Sequence, residues 1–257
     1  MALENGLFLH GPTAWAVAVR DDEGRIRTAT GTKRRVAGRA GGLPLARGVL
    51  RMGEMFGVLA SVRRALPEAR FPFTERRVMA AMTLSATAVA ALRARGGRPT
   101  FRTELASALA GLAPSAVALG SRTLSGYHGA EHKTIGAYEH GGTAAEATKE
   151  HERCGSHLVG PLLLTTAVAN AVTGRLPERS RRAARATGSL AALGVAVEVF
   201  AWMDRNRERP LARALARPGH ALQRFASTSE PSPDQLEVAE RALDELLRAE
   251  GAPPRRA

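Results

Sequence analysis

Gly188-Ser-Leu-Ala-Ala-Leu-Gly-Val-Ala-Val-Glu-Val-Phe-Ala-Trp-Met203 is an apolar run with a single charge, Glu198. The fold class turns on whether such a run crosses a bilayer or fills a soluble core. Three further Ala-rich runs cover 78–92, 105–120 and 158–174. Each is marginal in length, because a helix crossing the hydrocarbon core needs about 17 to 25 residues. The runs reach that length only if flanking Arg side chains snorkel toward the headgroups. Arg clusters stand where this requires them, at Arg76 and Arg77 and within 93–102, 175–185 and 205–209. Mean hydropathy over the whole chain, -0.16, is low for four spans. The nearly uncharged runs between Arg-rich ends nevertheless favour a mostly α, helical integral membrane protein with about four short spans, in contact with the bilayer and with anionic lipid headgroups through its Arg clusters. A soluble helical protein that binds anionic partners through Arg is the competing expectation.

Outside the runs the pattern changes. Trp15-Ala-Val-Ala-Val-Arg20 alternates large and small apolar residues, Asp21-Asp-Glu-Gly24 reads as a turn, and Arg25-Ile-Arg-Thr-Ala-Thr30 can return antiparallel. This predicts a small β-hairpin within an N-terminal region, 1–42. From Leu45, Val49, Met52, Phe56, Leu59 and Val62 recur at helical spacing. They predict an amphipathic, interfacial helix within 43–77. The four runs then form a membrane core, 78–203, interrupted by a polar His-rich loop, 121–157. In the last region, 204–257, Ser232-Pro-Asp-Gln235 has the form of a capping box with Pro at the first helical position. The Leu236, Ala239, Leu243, Leu246 stripe completes a C-terminal amphipathic helix, and the tail from 252 onward reads as disordered.

Composition removes some functions. The chain of 257 residues carries 37 Lys and Arg against 24 Asp and Glu, a net charge of +13. Nearly all the cations are Arg, with Lys only at 33, 133 and 149, and aromatic residues make up 4%. That leaves little material for base stacking, so nucleic acid is not an expected partner. A single cysteine, Cys154, forms no internal disulfide, and no cleavable signal is visible in residues 1–19.

Five of the seven histidines, His128, His132, His140, His151 and His157, fall within 121–157. His128 and His132 are four residues apart with Glu131 three from His128, so a helix presents all three on one face. This is the H-x-x-E-H arrangement, in which two imidazoles hold zinc and the carboxylate acts as general base toward water. Gly129 within the expected helix counts against that geometry. Two ligand sets are open. His151 and Cys154 can join the two imidazoles in a closed, structural N/S shell. Alternatively Glu198, near the returning end of the fourth run, can supply a carboxylate and leave one position open, as catalytic zinc requires. Lys133 and Arg153 are candidates for binding an anionic substrate. His140 and His157 read as ordinary loop residues, and Thr165, Thr166 and Asn170 as bonds between helices.

Tyr127-His-Gly-Ala-Glu-His-Lys-Thr-Ile135 with Ala137-Tyr-Glu139 resembles the signature of the YqhQ-like proteins, domain-of-unknown-function family 1385. His151-Glu-Arg-Cys-Gly-Ser156 resembles a second element of that family, with Glu152 in place of Pro. Leu222-Gln-Arg224, 228–231 and 234–239 resemble its C-terminal stretch, and Ala14-Trp-Ala-Val-Ala-Val-Arg20 its N-terminal strand. The resemblance implies membrane placement and a metal site at His128, Glu131, His132, His151 and Cys154. The sequence departs from the family at Leu7-Phe-Leu-His-Gly-Pro12, where relatives carry a Gly-Gly-Gln-Ala segment. Together these readings point to a membrane-embedded, metal-dependent hydrolase with zinc at an H-x-x-E-H site. The alternative is a non-catalytic membrane scaffold stapled by a structural metal. The expected location is the cell membrane, multi-pass, with the His-rich segment on the cytoplasmic side.

Overall fold

In the computed structural model, which describes residues 1–33, 45–94 and 100–253, the N-terminal sequence forms a four-stranded antiparallel meander. Its strands are β1 (Ala2–Leu3), β2 (Gly6–His10), β3 (Ala14–Arg20) and β4 (Ile26–Thr32), in that spatial order. The expected hairpin is the β3–β4 pair, with Ala16 opposite Thr30 and Val19 opposite Arg27. Residues 2–10 add two strands that the alternation around Trp15 did not announce, pairing Phe8 with Val17 across β2 and β3.

The alternation in β3 sorts the sheet into two faces. Ala14, Ala16 and Ala18 join Leu7 and Leu9 on one face, under Val238, Ala239, Ala242, Leu243 and Leu246 of α8 (Pro233–Glu250). Trp15, Val17 and Val19 join Phe8 on the other, against Val58, Val62 and Leu66 at the end of α1 (Ala46–Ala65). Small residues on one face let α8 approach closely, and large ones fill the space beneath α1. Residues 2–32 and 233–250, far apart in sequence, therefore meet around one sheet. The capping box of α8 forms as its sequence indicates, with Ser232 and Gln235 satisfying each other's backbone N–H groups and left-handed Gly251 ending the helix. Most of the tail read as disordered, from 254 onward, lies outside the described residues.

The apolar runs become α2 (Arg76–Ala94), α3 (Phe101–Leu119), α5 (Val159–Thr173) and α6 (Glu178–Arg205). Two described helical stretches, Gly155–Thr173 and Arg179–Arg205, are long and apolar enough to cross a membrane. A third exists only if α3 and the following α4 (Arg122–His140), bent by 86°, count as one span. The expected four spans are thus reduced to two or three. The 78–92 run is helical but does not qualify, since Arg76, Arg77, Thr83, Ser85 and Thr87 dilute its apolar content. Polar side chains tie the helices together as expected: Thr165 donates to the Ala192 carbonyl at 2.9 Å, and Asn170 to Glu104 at 2.5 Å. α7 (Pro210–Leu222) and a π-helical turn, Gln223–Ser227, connect α6 to α8.

Candidate metal centre

α4 begins at Ser121, whose hydroxyl accepts from the Leu124 N–H, and ends at Gly141, with φ of 82°. The first half of the segment read as a polar loop is therefore a 19-residue helix. Gly129 does not break it. A Cβ at that position would lie 2.2 Å from the Ser229 carbonyl oxygen, so glycine is what lets the 227–231 segment lie directly on the helix. Ser229 N–H donates to the Ser125 carbonyl at 3.0 Å, one turn earlier.

This close approach orients the first histidine. His128 Nδ1 donates to the Ser227 carbonyl at 2.7 Å, at the end of the π-helical turn. His132 Nδ1 donates to the Lys149 carbonyl, also at 2.7 Å. With each Nδ1 proton committed to a backbone oxygen, each neutral ring presents Nε2 as its lone-pair atom, the arrangement found behind metal-ligating imidazoles. Cys154 Sγ lies 3.4 Å from His128 Nε2 and accepts from the Ser156 N–H at 3.5 Å. One ligand atom from each of His128, His132 and Cys154 falls within 4.8 Å of the other two. Tetrahedral zinc places such atoms roughly 3.3 to 3.6 Å apart, a spacing that Cys154 Sγ and His128 Nε2 already have at 3.4 Å.

Electrostatics couple the same three groups. Burial alone would push the Cys154 thiol up, but hydrogen bonds from His128 and His132, and the charge of those rings, outweigh it and bring the thiol down to about 5. Burial would lower His128, yet the Cys154 hydrogen bond and the nearby Glu131 charge leave it raised above an ordinary histidine. Each group thus favours the charged form of the other, thiolate beside imidazolium. In metal-stripped protein, iodoacetamide should alkylate Cys154 at a rate that holds down to about pH 5. His128→Ala should move that midpoint upward, toward an ordinary thiol. A midpoint near 8 to 9 in the unsubstituted protein would refute the pairing.

The remaining sequence candidates divide. Glu131 faces the same cavity, and its carboxylate accepts from the Met1 ammonium at 2.7 Å. Burial alone would raise this carboxyl, but the ammonium and His128 hold it below its usual range, so it is ionised at neutral pH. His151 lies beside His132, ring centroids 5.7 Å apart, with both ring nitrogens engaged. Its Nε2 donates to Glu139 at 3.0 Å and its Nδ1 accepts from the Arg153 N–H at 3.2 Å. Arg153 also bonds Glu139, at 2.9 Å, on the exposed rim of the cavity. Glu198 does not join the His128, His132 and Cys154 cluster: its carboxylate accepts from the Leu45 N–H at 3.2 Å, where α6 meets the start of α1. Lys133, 5% exposed, is ion-paired with Glu230 and is spent on holding the 227–231 segment to α4. His140, expected in a loop, is instead the exposed last residue of α4, because the helix runs on to Gly141. His157 departs from its reading as a loop residue: it is buried and donates from Nδ1 to the Ala216 carbonyl at 3.1 Å.

Sequence reasoning missed Gln223. It is fully buried, accepts from the His151 N–H at 2.7 Å, and donates to the His151 carbonyl, Ser156 and His157. One amide thus pins both ends of the 151–157 segment that carries Cys154. The cavity in front of the cluster measures ≈620 Å³. Its walls are apolar at Ala118 and Leu119 of α3 and Ile135 of α4, and polar at Glu139 and Arg153.

The profile of the family described as protein of unknown function DUF1385 matches residues 121–249, half of the chain, and includes α4, the 151–157 segment and α8. The chain belongs to this family. A relative in Bacillus subtilis (strain 168), called uncharacterized protein YqhQ, is 32% identical over 129 residues, which cover 48% of this chain. The match spans 40% of that relative's length. No solved structure matches the chain significantly. Membership in DUF1385 places both halves of the cluster, the H-x-x-E-H helix and the Cys154 segment, inside the matched region.

Proposed function

We propose that this DUF1385 protein is a membrane-anchored, zinc-dependent hydrolase, with His128, His132 and Cys154 holding the cation and Glu131 acting as general base. The observation that carries the proposal is the convergence of two imidazole nitrogens and one sulfur on the wall of an open cavity, with both imidazoles fixed from behind by backbone carbonyls. Three protein donors with space in front of them fit catalytic zinc, which keeps a position open, better than a closed structural shell. Bound there, zinc would supply Lewis acidity toward a carbonyl or phosphoryl oxygen. This chain's own contributions are distinct. Glu131, ionised and facing the cavity, takes a proton. Gln223 and the Glu139 bridge to His151 and Arg153 hold the Cys154 segment in place, and Arg153 offers a cation at the rim.

The membrane part of the proposal draws on α5 and α6. They expose Leu163, Leu164, Val168, Val172, Leu190 and Val195, a contiguous apolar surface that water would penalise and lipid would not. In this arrangement α5 and α6 form the membrane hairpin, while α4, the sheet and α8 lie outside the bilayer. Cys154 then stands just before the entry into α5, at the lipid boundary. The slight excess of Arg around this end favours the cytoplasmic side. The alternative function, a non-catalytic membrane scaffold, keeps the same metal as a staple for 122–157.

The test uses full-length protein in detergent, stripped by chelator and reloaded with zinc, assayed on chromogenic carboxylic and phosphoric esters. Turnover that depends on zinc, and that Glu131→Gln lowers at least 100-fold with zinc content unchanged, supports the hydrolase. Zinc binding that raises thermal stability without turnover on any ester favours the scaffold. No zinc retention by the unsubstituted protein refutes both.

A further inference from the structure

Beyond the metal site, α7 has three faces. Ala212 and Gly219 are buried, Gly219 against His157, and Arg213 and Arg217 are exposed one turn apart. A third face is apolar yet open to solvent: Leu211 is 61% exposed and Phe225, on the π-helical turn that prolongs α7, is 82% exposed. Large apolar side chains so exposed, beside a row of Arg, match a helix lying in the plane of a bilayer surface. The position agrees, since Pro210 follows the end of α6 at Arg205 by a short turn, where that candidate span leaves the bilayer.

Arg213 and Arg217 border a cavity of ≈320 Å³ that also receives His157 and His220, whose rings stand 4.4 Å apart. Two acids share its rim, Glu152 and Asp204, and both are matched by Arg207. Arg213 and Arg217 form no ion pair among the described residues. The cavity therefore combines two unspent guanidinium groups with an apolar back wall at Phe200 and Met203, as a headgroup phosphate and the start of its glycerol chain would require.

We infer that α7 is an in-plane membrane-surface helix that binds anionic phospholipid, with Arg213 and Arg217 holding the headgroup phosphate and Leu211 and Phe225 entering the acyl boundary. The inference rests on the membrane placement proposed above and adds a lipid class and its site. It is tested with full-length protein in nanodiscs of phosphatidylcholine alone or with phosphatidylglycerol. Native mass spectrometry after gentle delipidation should find phosphatidylglycerol retained, and Arg213→Gln with Arg217→Gln should cut retention about 25-fold, at about 5-fold per cation at low salt. Phe225→Trp should add fluorescence that brominated lipid quenches. Equal retention by the unsubstituted and double-Gln proteins overturns the phosphate site. Added fluorescence from Phe225→Trp that lipid does not quench, in a protein that carbonate washing leaves in the membrane, overturns the in-plane helix while sparing the membrane placement. Release by carbonate overturns both, and an unquenched, blue-shifted signal with a dimer mass assigns the face to a second copy of the chain.

Discussion

Replacing His128 and His132 together with Ala is expected to take zinc content from about one equivalent per chain to background, measured by atomic emission on protein purified without added chelator. Two of three donors vanish, and Cys154 alone cannot hold a divalent cation against a chelating buffer. The fold should persist, because the rings line a cavity wall and the main core lies elsewhere, around β3 and α8. Far-ultraviolet dichroism should therefore match that of the unsubstituted protein. A double variant that keeps its zinc would remove the site from α4 altogether. A single change at Ser227 would inform less, because the acceptor for His128 is a backbone carbonyl that every residue carries.

The second large effect comes from a methyl group. Gly129→Ala places Cβ 2.2 Å from the Ser229 carbonyl, a contact that only backbone movement relieves. The 227–231 segment must lift from α4, and with it go the Ser227 acceptor of His128 and the Glu230 partner of buried Lys133. Overpacking of this kind costs about 1 to 3 kcal/mol, and loss of a backing hydrogen bond lowers metal affinity about 10- to 100-fold. Gly136→Ala, on the same helix, is the control. Its added Cβ would meet only Ala147 Cβ, at 3.9 Å, so higher helix propensity should leave stability unchanged or improved. Urea denaturation and competitive zinc titration of the two variants compare them directly. Equal stability and affinity would show that the segment is not held where the close contact places it.

The contrast between these two glycines shows what the sequence could and could not reveal. Spacing alone put His128, Glu131 and His132 on one helical face, because side-chain direction in a helix follows position number. The same local logic found the β3–β4 hairpin, α1 and the capping box of α8. Gly129 counted against the helix because propensity sees only the chain itself, while the reason for glycine is a strand of backbone arriving from a hundred residues later. The acceptors at Ser227 and Lys149 were invisible for a related reason: a carbonyl has no residue type. Gln223 carried no signal beyond its place in the family-like Leu222-Gln-Arg224 element, since its four bonds depend on how α7 packs against 151–157. Glu198 stands out as an acid in an apolar run, yet it is only half-buried and accepts from the Leu45 N–H at the start of α1. Residues 2–10 carry no alternation that announces strands, yet they pair as β1 and β2, with Glu4 in the turn between them and His10 at the end of β2. The four apolar runs were found as helices, but length and composition leave only two or three able to span a bilayer.

The bond from His128 to Ser227 bridges 99 residues, and it sets an order of events during synthesis. At about 5 to 20 residues per second, the H-x-x-E-H helix emerges on the order of 5 to 20 seconds before its carbonyl partner is made. Until that carbonyl arrives the His128 ring has no acceptor behind Nδ1, so its orientation is fixed only when the 227–231 segment closes on α4.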